Sequence, residues 1–277
     1  MTSPIVFLTD YGMDDEFVGI CHGVMARIAP ETRVVDLMHA VPARDVLRGA
    51  LELAQSIRYM PDDAIFLGVV DPGVGTPRRG IAVSTASGRA LVGPDNGLLS
   101  LAWQALGGVA EAVEITSPEV VLSPPSATFH GRDVFAPAAA HLAAGMVLAG
   151  LGDAIDPASL AVLEVPKPRI GQGELATRVL SFDHFGNVQL AARGPDLEAA
   201  GLAEASAFSL HASGSAHAAR RAATFGDVET GALALIVDSL GWLEVVVNGG
   251  SAAAALSLEG GDAVTITRHP DPVPTSR

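Results

Sequence analysis

Short apolar runs alternate with longer stretches of helical periodicity over the first half of the chain. The runs are rich in Val, Ile and Leu, which is typical of buried strands, whereas the stretches between them repeat apolar positions with the period of a helix. Strands are predicted at residues 5–9, 33–37, 64–70, 81–85 and 90–92. Helices are predicted at residues 16–28, 44–58, 98–106 and 133–144. This alternation predicts an α/β domain with a mainly parallel sheet.

The pattern changes in the second half of the chain. Residues 156–173 contain three prolines and show no helical period, which is typical of a connection between domains. Beyond it, short β-type runs are separated by Gly, Asn and Asp turns. These runs cover residues 175–182, 232–237, 243–247 and 263–267. The sequence therefore predicts an α/β domain at residues 1–165 and a smaller all-β barrel domain at residues 166–277.

Composition limits the partners and the sites that we expect. The formal net charge of -14 would repel a phosphate backbone, and no Lys/Arg cluster offsets it, so nucleic-acid binding is not expected. Cys21 is the only cysteine, which excludes an internal disulfide and a cysteine zinc cluster. The start lacks a signal-peptide pattern, and the apolar residues 135–151 are interrupted by Pro137 and His141. We therefore expect a cytoplasmic protein that binds no membrane.

Acidic motifs follow several of the predicted strands, which is where ligands bind in open parallel sheets. They are TDYG at 9–12, DPGVGTPRR at 71–79 and PDNG at 94–97. The glycines of the second motif would allow the chain to turn back and bring Arg78 towards Asp71, although a structural turn with a surface ion pair has the same pattern. The motif lacks the third glycine of a dinucleotide fingerprint and a Walker lysine.

Other candidate residues are less distinctive in isolation. His130 precedes a predicted helix, whose dipole would lower its pKa or favour an anion, but an isolated His of this kind more often has a structural role. Asp183, Phe185 and Asn187 in DHFGN suit a clamp on a sugar beside a stacked base, or a plain β-turn. The histidines lack metal-site spacing, and no GxSxG motif marks a nucleophilic serine, so neither a metal site nor Ser/His/Asp catalysis is expected.

Six segments, in order along nearly the whole chain, resemble the S-adenosyl-L-methionine (SAM) hydrolases. This family, also called SAM hydroxide adenosyltransferases, is related to fluorinase and chlorinase. The segments are TDYG, VVDPGVGTPRR, GPDNG, TFHGRDVFAPAAAHLAAG, DHFGN and SLGWLEVVVNGG. The resemblance implies hydrolysis of SAM to adenosine and L-methionine by attack of water or hydroxide on ribose C5′, without a cofactor or a metal. It also implies a homotrimer whose active sites lie between the N-terminal domain of one subunit and the C-terminal domain of its neighbour.

The resemblance assigns roles to individual residues. The family's Asp-Arg-His catalytic set matches Asp71, Arg78 and His130, and the carboxylate that holds the ribose hydroxyls matches Asp10. The positions that match substrate contacts or the pocket lining in the second domain are Asp183, Phe185, Asn187, Phe225, Ser239, Val247 and Gly249.

Two of these second-domain assignments are limited by departures from fluorinase. Leu240 stands beside Ser239 where fluorinase has an arginine, so we expect recognition of the methionine carboxylate to differ. Val247 also replaces an arginine, so only its backbone contact to adenine is implied.

Two alternatives are weighed against hydrolysis. A SAM-dependent halogenase is disfavoured because halogenases place a Tyr at Asp71, and fluorinase places a Ser at Gly131. Residues 83–93 also leave no room for the halogenases' loop insertion. A non-catalytic SAM- or adenosine-binding protein is disfavoured by the intact set of Asp71, Arg78 and His130.

Overall fold

The computed structural model describes residues 2–270, and the chain divides into two units, Met1–Glu164 and Val165–Arg277. The strands of the first unit are β1 (Ile5–Thr9), β2 (Val34–Met38), β3 (Ile65–Val69), β4 (Gly80–Thr85), β5 (Ala90–Pro94), β6 (Val109–Ile115) and β7 (Gly152–Ala154). Its α-helices are α1 (Phe17–Ile28), α2 (Val46–Ser56), α3 (Ser100–Ala105) and α4 (Ala136–Ala143).

The seven strands of the first unit form one mixed sheet in the order β2-β1-β3-β5-β4-β6-β7. The pairs among β2, β1, β3 and β5 are parallel, and those among β5, β4, β6 and β7 are antiparallel. Helices α1 and α2 connect parallel strands, whereas a short turn suffices between the antiparallel β4 and β5. The α/β prediction is confirmed, and the antiparallel strands occupy one half of the sheet.

Helices cover both faces of this sheet. Phe7 and Leu67 pack with residues of α1 and α4 in one core, and Val6 and Phe66 contribute to a second core with residues of α2 and α3. Strand β1 is therefore fully buried, as expected for a parallel strand between two helical layers. No helix within residues 2–270 is long and apolar enough to cross a membrane.

The second unit is a closed β-barrel. Its strands are β8 (Arg169–Gly171), β9 (Glu174–Phe182), β10 (Val188–Arg193), β11 (Ala207–Ala212), β12 (Ser215–Arg221), β13 (Leu233–Val237), β14 (Trp242–Val247) and β15 (Ala263–Arg268). Its α-helices are α5 (Gly194–Ala199) and α6 (Ala252–Leu256). Seven strands run in the order β10-β14-β13-β12-β11-β15-β9, and pairing of β9 with β10 closes the ring. Closure pairs the edges of the sheet, and the barrel prediction is confirmed.

Candidate active site

The loop between β3 and β4 joins Asp71 to Arg78 in a buried ion pair. Arg78 Nε donates to Asp71 Oδ1 at 3.1 Å, and Arg78 Nη2 donates to Oδ2 at 2.6 Å. The two side chains are only 7% and 8% exposed, respectively. Gly75 permits this turn, because its φ is +78° and a Cβ there would lie 2.5 Å from the carbonyl oxygen of Ala127. The pair is therefore a buried element of the fold and not a surface ion pair.

His130 joins this pair from a distant part of the sequence. It lies at the start of a single π-helical turn, Gly131–Phe135, that leads into α4. Arg78 Nη2 lies 3.0 Å from His130 Nδ1. Because a guanidinium can only donate, Nδ1 is the acceptor, and the proton of the neutral imidazole is on Nε2. We refer to Asp71, Arg78 and His130, the residues that the family resemblance assigns to catalysis, as the catalytic set.

Burial and nearby charges shift the pKa values of Asp71 and His130. Burial raises the pKa of Asp71 above its usual value, although the nearby Arg78 and His130 oppose the shift. Burial and the positive charge of Arg78 lower the pKa of His130. The arrangement thus favours a neutral imidazole next to a carboxylate that is more basic than an exposed aspartate.

Tyr11 lies against the backbone that follows His130. A Cβ added to Gly131 would stand 2.0 Å from Tyr11 Oη, so the tyrosine occupies the space that any side chain at position 131 needs. The Tyr11 ring packs against Phe17 and Phe129, and burial raises the pKa of its hydroxyl, as do the nearby Cys21, Asp10 and Asp71. The TDYG motif contains this tyrosine, but Tyr11 was not predicted from the sequence as a site residue.

Asp10 and the PDNG motif flank the set in the same unit. Asp10 follows β1, and its Oδ2 accepts from the backbone N–H of Arg44 at 2.9 Å. In PDNG, Asp95 pairs with Arg79, and Asn96 Nδ2 donates to the carbonyl oxygen of Val70 at 2.9 Å. Because Val70 directly precedes Asp71, the PDNG motif anchors the backbone that carries the Asp71 carboxylate.

The DHFGN turn brings Asp183 and Asn187 together in the second unit. Asp183 Oδ1 accepts from the backbone N–H groups of Phe185 at 2.9 Å and Asn187 at 2.8 Å, and Oδ2 accepts from Asn187 Nδ2 at 2.7 Å. Phe185 is 75% exposed, and its ring makes an edge contact with His184, with centroids 5.6 Å apart. Gly186 has a φ of +81°, and a Cβ there would lie 2.2 Å from Ser251 Oγ.

The remaining second-unit candidates are spread over three segments. Phe225 begins a short 3₁₀ turn and is partly exposed, and Ser239 lies in the turn between β13 and β14. Val247 ends β14 and is buried, and Gly249, two positions later, has a φ of +72°.

Glu244 is a second residue that sequence reasoning missed. It lies on β14 opposite Gln189 of β10, and Gln189 Nε2 donates to Asp238 Oδ2 at 2.9 Å. Burial, together with the negative charges of Asp183 and Asp238, raises the pKa of Glu244 to about 7. Three carboxyl groups therefore lie close together beside the DHFGN turn, a grouping that depends on strand pairing and has no signature in the sequence.

Two family models match this chain, one in each of its two units. The model of the SAM hydroxide adenosyltransferase N-terminal domain matches residues 5–152, and that of the C-terminal domain matches residues 177–265. This chain belongs to the SAM hydroxide adenosyltransferase family. The catalytic set lies within the first matched region, and Asp183 to Gly249 lie within the second.

Individual relatives agree with this membership. The chain is 51% identical to an (R)-S-adenosyl-L-methionine hydrolase of Salinispora tropica, over 95% of this chain and 97% of that protein. It is 29% identical to a fluorinase of Actinopolyspora mzabensis, over 95% and 97% of the two chains. The crystal structure of an uncharacterized conserved protein from Thermotoga maritima superposes with a TM-score of 0.88 at 37% identity, covering 95% of this chain and 100% of that one.

Proposed function

We propose that this enzyme hydrolyses SAM to adenosine and L-methionine and that its substrate is the (R)-sulfonium epimer. The main support for this reaction is the buried set of Asp71, Arg78 and His130, which lies in the domain matched by the family model. The epimer is inferred from the Salinispora tropica relative, an (R)-S-adenosyl-L-methionine hydrolase to which this chain is 51% identical.

Activation of water is the difficult step of this reaction. With a water pKa near 15.7, free hydroxide at pH 7 costs about 12 kcal/mol at about 1.36 kcal/mol per pKa unit. The sulfonium, in contrast, departs as a neutral thioether and needs no acid. A carboxylate that accepts a proton from water as the oxygen attacks C5′ lowers the cost of the nucleophile.

Asp71 is the proton acceptor in this mechanism. Its two oxygens each accept one bond from Arg78, and a carboxylate has further lone pairs with which to accept from water. His130 uses Nδ1 to accept from Arg78, so its Nε2–H is a donor. We assign His130 and Arg78 to stabilise the negative charge that develops on the attacking oxygen.

Positioning supplies the rest of the mechanism. Asp10 holds the ribose hydroxyls so that C5′ is aligned for in-line attack, which is worth several kcal/mol. Asp183, Phe185 and Asn187 contact the substrate through the DHFGN turn, and Phe225 lines its pocket. Ser239 contacts the methionine moiety, and the backbone of Val247 and Gly249 contacts adenine. No cofactor or metal takes part in the proposed reaction.

We further propose a cytoplasmic homotrimer whose active sites combine the first domain of one subunit with the second domain of a neighbour. The support is the family resemblance. Light scattering on the purified protein is expected to give three times the mass of the chain. A fully active monomer would contradict the intersubunit site.

Incubation with each SAM epimer in ¹⁸O-labelled water tests the reaction. We expect chromatography and mass spectrometry to show adenosine and methionine, with the label in the 5′ hydroxyl and faster consumption of the (R) epimer. Label missing from adenosine would refute attack at C5′. In the presence of chloride, 5′-chloro-5′-deoxyadenosine would identify a halogenase, and calorimetric binding without turnover would identify a binding protein.

Variant kinetics test the assigned roles. Asp71→Asn and His130→Ala are expected to lower kcat far more than they weaken SAM binding, because these groups meet charge that develops during attack. Asp10→Ala is expected to impair both. The double variant of Asp71 and His130 should lose much less than the sum of the single losses, since both residues act on one water. Asp62→Asn, at a fully exposed carboxylate paired with Arg89, is the matched control.

A further inference from the structure

Three side chains with metal-binding atoms meet in the first unit. His22 lies on α1, Asp36 on β2, and His39 just beyond the end of β2. His22 Nε2 and His39 Nε2 lie 2.8 Å and 2.9 Å from the same atom, Asp36 Oδ1. All three potential ligand atoms lie within 4.8 Å of one another. The spacing of these residues in the sequence matches no metal-binding motif. They come together only because the fold places α1 beside the end of β2.

The distances fit a coordination shell. Ligand atoms about 2.0–2.1 Å from a metal ion and at right angles to each other are separated by about 2.9 Å. The two measured separations between imidazole nitrogen and carboxylate oxygen, 2.8 Å and 2.9 Å, match the length of that edge. Two imidazoles and one carboxylate suit divalent transition metals such as nickel, cobalt and zinc, whereas magnesium prefers oxygen ligands.

The surroundings hold the two rings in place. Phe7 of the buried strand β1 contacts both imidazoles, with ring centroids 4.8 Å from His39 and 6.0 Å from His22. The His39 ring is buried, whereas the side chains of His22 and Asp36 are 34% and 47% exposed. An ion can therefore enter from solvent and retain water molecules at its remaining positions.

His39 also has the outer hydrogen bond that metal-ligating histidines make. Its Nδ1 lies 2.9 Å from Thr9 Oγ1, which accepts the backbone N–H of Tyr11 at 3.1 Å. With a metal on Nε2, the ring proton resides on Nδ1, and the hydroxyl oxygen has a second lone pair with which to accept it. The tautomer that a metal requires is thus accommodated without breaking the bond to Tyr11.

We propose that His22, Asp36 and His39 form a binding site for one divalent transition-metal ion, separate from the catalytic set. The alternative is a carboxylate that only accepts hydrogen bonds from two imidazoles. The two differ in a measurable way, because only the metal site saturates at one ion per chain.

Calorimetric titration of tag-free protein with Ni²⁺ tests the proposal. We expect one ion per chain, a rise in the thermal midpoint on addition of Ni²⁺, and no such rise with Mg²⁺. His22→Ala should weaken the binding at least tenfold and abolish the thermal shift. Since His22 is partly exposed on α1, circular dichroism is expected to show a folded variant.

Two further variants make the test specific. Asp36→Asn retains a hydrogen-bond acceptor but loses the charged ligand, so it too should weaken Ni²⁺ binding at least tenfold. His217→Ala, which removes a histidine from β12 in the other unit, is the matched control and should bind as the wild type does. Absence of saturable binding, or wild-type affinity in His22→Ala and Asp36→Asn, would overturn the proposal.

Discussion

Replacing Arg78 by Ala removes the only guanidinium that contacts both Asp71 and His130 within residues 2–270. Asp71 is 7% exposed, so the variant leaves a carboxylate buried without its cationic partner. Breaking a buried pair in this way costs about 3–5 kcal/mol, far more than the pair itself contributes, because the remaining charge is poorly solvated. We therefore expect Arg78→Ala to lower the free energy of unfolding at pH 7 by about 3–5 kcal/mol.

Urea denaturation of three variants measures this loss and its cause. Arg78→Ala is compared with Asp71→Asn and with the double variant. The double variant should be more stable than Arg78→Ala alone, since it no longer buries an unpaired charge. Arg169→Ala is a control, because Arg169 and Glu174 form an exposed pair at 3.8 Å, for which we expect a change below about 1 kcal/mol.

The pH dependence gives the same argument a second test. Burial already raises the pKa of Asp71, and removal of Arg78 takes away the main opposing influence, so the pKa should rise further. Protonation relieves the unpaired charge, so the stability deficit of Arg78→Ala should shrink as pH falls and grow as pH rises. An unfolding free energy within about 1 kcal/mol of wild type, or a double variant no more stable than Arg78→Ala, would refute this reasoning.

Three further changes have defined outcomes. Gly131→Ala should lower stability by about 1–3 kcal/mol in urea denaturation, because its Cβ meets Tyr11 Oη, and Tyr11→Leu in the same chain should recover part of the loss. In the folded protein the pKa of Glu244 is raised from 4.5 to about 7. The protonated side chain therefore stabilises the fold below pH 4.5, and this contribution is lost as pH rises through 7. Allowing for partial exposure, Glu244→Gln should therefore gain about 1–2 kcal/mol on wild type between these pH values in urea titrations. Asp45→Ala removes the N-cap of α2, whose side chain accepts from Arg48 N, and should lower the thermal midpoint through a loss of about 1 kcal/mol.

Elements buried on both faces were predictable from the sequence. Strands β1 and β3 are continuous apolar runs, and the predicted bounds of β1 agree with the structure. Strands β6 and β12 were not predicted. In β6 (VAEAVEI) the glutamates are separated by small residues, and β12 (SAHAARR) is mostly exposed, so neither shows a clear apolar alternation. Their strand conformation follows from pairing with neighbours, which local sequence does not encode.

The residues of the site also differ in how far apart they lie in the sequence, and this decides which contacts could be predicted. Asp71 and Arg78 are seven positions apart, and a glycine-rich loop between them predicts that the chain can turn back. His130 is 52 positions from Arg78, and nothing in the intervening pattern indicates the contact. Sequence reasoning could place His130 in the set only through the family resemblance. His22, Asp36 and His39 lacked such a resemblance, so their grouping emerged only from the fold.

The hydrogen bonds of Arg78 determine the tautomer of His130, which cannot be read from the sequence. Arg78 donates from Nε and Nη2 to Asp71, from Nη1 to the carbonyl oxygen of Arg79, and from Nη2 to His130 Nδ1. The last bond requires an unprotonated Nδ1, so the neutral imidazole holds its proton on Nε2. A histidine in that state has no free nitrogen lone pair with which to take a proton from water. In the proposed mechanism, the carboxylate of Asp71, made more basic by burial, is therefore the proton acceptor.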